Sequence, residues 1–169
     1  MITCISPIDG SVYATRETLS ARAARDAVAR AHSAQPAWAT RSLDERIQLV
    51  LKGVANVGNR NDDIVPELAR EMGRPIRYGG EFAGFNERAT YMAEIAKDAL
   101  ADIEIEDSGS FRRVIKRVPH GVVLVVAPWN YPYMTAINTV APALIAGNTV
   151  MLKHASQTPC VGERMAKAF

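Results

Sequence analysis

The sequence predicts an α/β protein: a partial Rossmann-like parallel sheet, preceded by helices and carrying an antiparallel hairpin. Three observations predict it. Apolar residues recur at helical spacing through most of the first hundred positions. Two short β-branched runs, Val122 to Val126 and Thr149 to Leu152, flank an apolar stretch of helical length. Between the two halves, Ile103-Glu104-Ile105-Glu106 alternates and is followed by the turn chemistry of Asp107-Ser108-Gly109-Ser110.

The elements follow in order. Met1 to Pro7 has no basic stretch leading into an apolar one, so no secretory signal is expected, and Cys4 is expected in a mobile terminus. A first helix starts at Ser20 and carries Ala24, Ala27, Val28 and Ala31 until Pro36. A second runs from Leu43, with Ile47, Val50, Leu51 and Val54 on one face, and fades at Gly58-Asn59. A third spans Asp62 to Met72, with Gly73 as its stop and Pro75 beyond. A fourth carries Phe82, Phe85, Tyr91, Met92, Ile95 and Ala99 at spacings that predict burial.

The hairpin comes next, its second arm running from Phe111 to Val118. Val122 to Val126 is apolar throughout, which predicts a strand buried on both faces. Pro128 to Pro132 must be a loop, because both prolines restrict the residues before them. Tyr133 to Ala146 reads as a helix stopped by Gly147-Asn148, with Pro142 expected to kink it or shorten its last turn. Thr149 to Leu152 is the second strand, and Thr158-Pro159 opens a last helix with proline at its first position. Strand, helix, strand at this length is a βαβ unit with a parallel sheet and a right-handed crossover. Residues 1–169 read as one domain, and the end at Phe169 inside a helix is expected to mark a fragment.

Composition narrows the function classes. Of 169 residues, 48% are apolar and 22% charged, and no run approaches the roughly 18 apolar residues of a membrane span. Two cysteines make no disulfide framework and point to a reducing, cytoplasmic setting. The net charge of +2 is unevenly spread: no carboxylate occurs from Ser108 to Gly162. That stretch suits an anionic ligand such as a nucleotide phosphate. The plainer reading of Arg112, Arg113, Lys116 and Arg117 is a set of solvated strand residues. No basic patch interleaved with aromatics is present, so nucleic acid is not an expected partner, and no metal-ligand pattern occurs.

In open parallel sheets, ligands bind beyond the carboxyl ends of the strands. Two loops fall there: Ala127-Pro128-Trp129-Asn130-Tyr131-Pro132 and Lys153-His154-Ala155-Ser156-Gln157. Asn130 offers a neutral amide with two donors, or alternatively a cap for the following helix. Lys153 offers a point charge for a ribose hydroxyl or phosphate, or is simply solvated. Trp129 by itself reads as a core aromatic. No G-x-G-x-x-G follows either strand, so spacing alone supports only a nucleotide-sized site at a sheet edge.

The residues themselves point further. Pro119-His120-Gly121-Val122-Val123, the Pro128-Trp129-Asn130-Tyr131-Pro132 loop, Ala141-Pro142-Ala143-Leu144, Gly147-Asn148-Thr149-Val150 and Lys153 to Pro159 closely resemble aldehyde dehydrogenases. Upstream, Asp26-Ala27-Val28 with Trp38, Arg46, Glu71-Met72-Gly73-Arg74-Pro75 and Tyr91-Met92-Ala93-Glu94 are similar to that family's amino-terminal helices. The resemblance covers almost the whole chain.

The resemblance implies NAD(P) as cofactor, a small aldehyde as substrate, and roles for particular residues. Asn130 would be the oxyanion-hole amide, holding the oxygen of a thiohemiacetal once an enzyme cysteine attacks the aldehyde. Val126, Ala127, Pro128 and Trp129 would line the nicotinamide-ribose end. Lys153 would bond the adenosine ribose, within a cofactor loop completed by His154, Ala155 and Ser156. Strictly NAD-using members tend to carry glutamate where Ser156 stands, so serine is expected to admit NADP. His154 replaces the family's common proline, and an imidazole stacked on the adenine is one outcome.

Cys160, at a helix start and far from the family's catalytic segment, is expected to be a buried structural thiol. The glycine-rich segment, the general-base glutamate and the nucleophile are expected beyond Phe169, leaving these residues inactive alone. The family also implies a homo-oligomer, dimer or tetramer, with the hairpin at 101–118 in its contacts. The Lys153 to Pro159 run resembles semialdehyde-oxidising members. Two alternatives stay open: a non-catalytic nucleotide-binding or assembly module, and a CoA-acylating or phosphorylating relative.

Overall fold

The computed structural model describes residues 1–169. It opens with a hairpin of β1 (Ile2–Ile5) and β2 (Val12–Arg16). Four helices follow: α1 (Ala21–Ala39), α2 (Leu43–Gly58), α3 (Asn61–Met72) and α4 (Phe82–Ala99). A single 3-10 turn, Ile76–Tyr78, separates the last two. Then come β3 (Ile103–Asp107) and β4 (Arg112–Ile115), β5 (Val122–Val126), α5 (Pro132–Ile145), β6 (Thr149–Lys153) and α6 (Pro159–Ala168). β5 and β6 pair in parallel from Val122↔Thr149 to Val126↔Lys153, so the expected βαβ unit is present.

Helix starts and stops follow local chemistry. Ser42 and Glu45 close a capping box at α2, each side chain satisfying a backbone amide of the other's segment. Gly73 ends α3 in the left-handed conformation, φ 79°, which a side chain would disfavour. The carbonyls at the end of α5 have no partners within the helix. Trp38 Nε1 donates to Leu144 O at 2.9 Å and Arg46 Nε to Ile145 O at 2.8 Å. Those bonds fasten the α1–α2 corner to the end of α5.

The core lies where α2, α4, α5 and α6 meet the inner face of β5. The buried stripe of α4 is Phe85, Ala89, Ala93 and Ala96. This corrects the expectation for Tyr91, Ile95 and Ala99, which are exposed. Alanines at spacings of four and three let α5 approach closely, and a larger residue there would hold the helices apart.

Other expectations also change. The amino terminus is paired, and Cys4 is 1% exposed because β1 docks it against Glu71 and Gln157. β5 is buried on one face only: Leu124 and Val126 are 63% and 65% exposed, since the helices cover the Val123 and Val125 side. α1 continues past Pro36 to Ala39, its last turn held by the Trp38 bond and by Gln35 on the Gly147 carbonyl. α5 runs through Pro142 without a break for a similar reason, its end being held by Trp38 and Arg46.

The β3–β4 hairpin stands exposed, with a bulge between Glu104 and Glu106. Arg112 pairs with Glu104 at 2.8 Å and Arg113 with Glu106 at 3.3 Å, so both are solvated strand residues rather than part of an anion site. Exposed pairs of this kind contribute about 0–1 kcal/mol each. No helix is long and apolar enough to cross a membrane.

Candidate functional site at the carboxyl edge

Parallel pairing puts the carboxyl ends of β5 and β6 side by side. Val126 lies opposite Lys153, and Ala127 N donates to Lys153 O at 3.1 Å. The loop Ala127 to Tyr131 and the loop Lys153 to Gln157 therefore leave the same edge. Ala127 is buried and Pro128 half-buried, which makes a backbone floor. Val126 and Trp129 project outward, Trp129 with 51% of its surface exposed. Trp129 is thus not the core aromatic that it suggests in isolation.

Asn130 is exposed and does not cap α5: the cap position is Tyr131, and no side chain of the loop bonds the helix amides. The capping is done instead by Glu81, whose Oε2 accepts from Met134 N at 2.8 Å. Its Oε1 meets Arg74 Nη1 at 2.8 Å, and Arg74 Nη2 donates to Asn130 O at 2.9 Å. The Arg74 guanidinium also lies 4.7 Å from the centre of the Tyr131 ring. Burial pushes the Glu81 carboxyl above its ordinary range, against the opposing pull of the Met134 amide and Arg74.

The second loop is organised in the same way. α6 begins with Pro159, and no side chain caps it locally. Glu71, fully buried, reaches across so that Cys160 N donates to its Oε1 at 2.8 Å. The Glu71 carbonyl accepts from Gln157 Nε2 at 2.7 Å, which holds the end of the loop. Burial pushes the Glu71 carboxyl upward as well.

Of the loop residues, Lys153 and Ser156 are exposed, and Ala155 is half-buried. Lys153 Nζ donates only to the adjacent His154 carbonyl, at 3.3 Å. His154 is turned inward, its imidazole packed on Gly162 of α6 with Nδ1 buried. In that placement the ring seats the loop against α6. Burial, with Lys153 beside it, lowers the His154 pKa, so the ring is neutral near pH 7.

A methyl group at position 162 would overlap the His154 ring. In an open helix, alanine is favoured over glycine by about 1 kcal/mol. Gly162→Ala is instead expected to destabilise by about 1–3 kcal/mol, the cost of overpacking. Denaturant unfolding checks this: adding His154→Ala should recover most of the loss, and strictly additive effects would refute the contact.

Neither thiol has the surroundings of a nucleophile. Cys160 is buried and its pKa is pushed up to about 12, first by burial and then by Glu71. Burial also raises that of Cys4. A nucleophilic cysteine needs its pKa lowered, and neither has that.

Glu81 and Gly162 have no place in the sequence reading as structural residues, and Glu71 and Arg74 have none beyond their shared motif. Glu81 and Glu71 bond partners 53 and 89 positions away, beyond any local spacing rule. The one available signal is at α5, which opens with proline after Tyr131, a residue that cannot cap it; α6 has Thr158 at its cap position, so nothing local points to Glu71.

A sequence profile described as aldehyde dehydrogenase family matches residues 1–169. A D-glyceraldehyde dehydrogenase (NADP(+)) of Picrophilus torridus is 30% identical over 166 residues, which is 97% of this chain and 34% of that protein. An N-succinylglutamate 5-semialdehyde dehydrogenase of Novosphingobium aromaticivorans is 33% identical over 148 residues, 85% of this chain and 31% of that protein. The structure of an NADP-dependent glyceraldehyde-3-phosphate dehydrogenase from Bacillus halodurans, complexed with NADP, matches with a TM-score of 0.89 and 28% identity. It covers 99% of this chain and 36% of that one. The chain spans about a third of the length of the curated relatives it matches. With the profile running its full length over the same βαβ edge and paired loops, the chain belongs to the aldehyde dehydrogenase family.

Proposed function

We propose that the whole protein oxidises a small aldehyde to its carboxylic acid with NAD(P)+, this chain supplying the oxyanion amide and one edge of the cofactor site. The observation that carries the reading is the Val126↔Lys153 pairing, which seats the Asn130 loop and the Lys153 loop on one edge. The residues fit a dinucleotide. The edge bears no carboxylate from Ser108 to Gly162, has an outward ammonium at Lys153, and presents the apolar surface of Val126 and Trp129. Such exposed apolar groups suit a flat ring.

Bound NAD(P)+ supplies the acceptor for a hydride. An enzyme cysteine other than Cys4 and Cys160 adds to the aldehyde carbon, and Asn130 donates to the resulting oxyanion. Loss of the hydride from that adduct leaves a thioester on the cysteine, and water hydrolyses it to the free acid and the thiol. On this reading the 169 residues alone do not turn over aldehyde, because both of their thiols are buried with raised pKa values. The protein is a cytoplasmic homo-oligomer, a dimer or tetramer. The apolar Ile103, Ile105, Phe111 and Ile115 exposed on the β3–β4 hairpin support its place in subunit contacts.

The site admits NADP. Ser156 is exposed with no carboxylate to repel a 2′-phosphate, and the Picrophilus torridus relative is named for NADP. Ser156→Glu is expected to lower kcat/KM for NADP+ about 10-fold or more while sparing NAD+, since opposed like charges cost several kcal/mol. Equal losses with both cofactors would sink the assignment.

The semialdehyde relative and the Lys153 to Pro159 run favour a small or carboxylated aldehyde. The deciding experiment assays the whole protein with small aldehydes and semialdehydes, each with NAD+ and NADP+, in buffer free of phosphate and CoA. Free acid should form. An absolute requirement for CoA or phosphate would overturn the reading in favour of an acylating or phosphorylating enzyme.

A further inference from the structure

We propose that Arg74 and Glu81 form a positioning pair for the Asn130 loop, setting the geometry from which its amide meets the oxyanion; this rests on the reading of Asn130 given above. Arg74 uses both ends of its guanidinium and one face. Nη1 donates to Glu81 Oε1 at 2.8 Å, Nη2 donates to Asn130 O at 2.9 Å, and Cζ lies over the Tyr131 ring, 4.7 Å from its centre. Glu81 completes the bracket by accepting from Met134 N at 2.8 Å. The stretch from residue 130 to residue 134 is therefore held at both ends by one ion pair. Between them, Pro132 fixes its own φ and restricts Tyr131 before it.

Both partners are withdrawn from solvent, with side-chain exposures of 11% for Arg74 and 2% for Glu81. A buried carboxylate is costly unless every oxygen is matched, and here both are. The Asn130 side chain makes no hydrogen bond that would orient it, so the direction of its amide depends on the backbone that carries it. Oxyanion stabilisation depends on donors aimed before the charge develops. A lysine could not do the same work, because a point charge has neither the fork nor the plane to hold Glu81, the carbonyl and Tyr131 together.

The test is a double-mutant cycle in the whole enzyme, comparing the Arg74→Met/Glu81→Gln pair with and without Asn130→Ala. Paired neutralisation avoids leaving one buried charge alone. The expected result is a fall in kcat of about 10- to 100-fold, as for a catalytic group misplaced by about 1 Å, with the Kd for NADP+ unchanged. In the Asn130→Ala background, the same pair should change kcat by less than about threefold, since residues acting as a unit are non-additive.

Arg74→Lys keeps the charge beside Glu81 and gives the fallback should the pair fold poorly. It should lower kcat about 10-fold with KM for the cofactor preserved. An unchanged kcat in these variants, or a full multiplicative loss on top of Asn130→Ala, overturns the positioning role while leaving the oxyanion reading intact. An Asn130→Ala enzyme with wild-type kcat removes that reading itself, and the inference falls with it.

Discussion

Asn130→Ala is expected to lower kcat of the whole enzyme about 10²- to 10³-fold, the usual loss when one oxyanion donor is removed. The experiment is clean because the residue has little structural work to lose. Its side chain is exposed and caps nothing, and its one contribution to the hydrogen bonding here is a backbone carbonyl, which alanine retains. Thermal stability and the Kd for NADP+ should therefore stay near wild type while turnover falls. Asn130→Asp sharpens the result: it keeps the shape but brings a negative charge towards a developing oxyanion, and should be no better than alanine. A kcat within about threefold of wild type for both variants would show that the oxyanion is held elsewhere.

Phe85→Ala should be the most destabilising single change in the helical core, costing about 3–5 kcal/mol. Phe85 is fully buried in the stripe of α4 that faces α5, edge-on to Tyr133 with ring centres 6.3 Å apart and planes at 78°. The neighbours on its stripe are alanines, too short to swing into the vacated volume. A loss of that size is a large part of the about 5–15 kcal/mol typical of a whole domain. Tyr133 directly follows Pro132 at the start of α5, so the loosened packing lies beside the Asn130 loop. Urea unfolding measures the effect, with Phe85→Leu expected to retain most of the stability. A loss below about 1 kcal/mol for alanine would mean that α4 and α5 close the gap.

Much of the fold is legible in the sequence for physical reasons that are local. β5, α5 and β6 announce themselves through β-branched runs and a proline-bounded loop, and Gly73 marks the end of α3. Ser20 and Ser42 mark helix starts by the same capping chemistry. The paired loops follow from topology once the strands are parallel. The remainder is set by partners distant in the chain. β1 is only four residues long, and Cys4 is buried because carbonyls of Glu71 and Gln157 lie against it. Tyr91 and Ile95 have helical spacing, but the close approach of α5 selects the alanine stripe instead. Leu124 and Val126 are as apolar as Val123 and Val125, so composition alone does not tell the covered face from the open one. At the edge, the two loops that carry Asn130 and Lys153 are readable, whereas the buried glutamates that hold those loops are not.

Those two glutamates also tie both halves of the ligand edge to a single segment of the chain. Neither α5 nor α6 has a first-turn amide bonded by the side chain of its own cap residue: Tyr131 precedes α5, and Thr158 at the start of α6 makes no such bond. Met134 N and Cys160 N donate to the carboxylates of Glu81 and Glu71 instead, ten residues apart in one segment. A local opening that frees Glu71 to Glu81 therefore bares both amides in the same event, so the two halves of the ligand edge share one anchor.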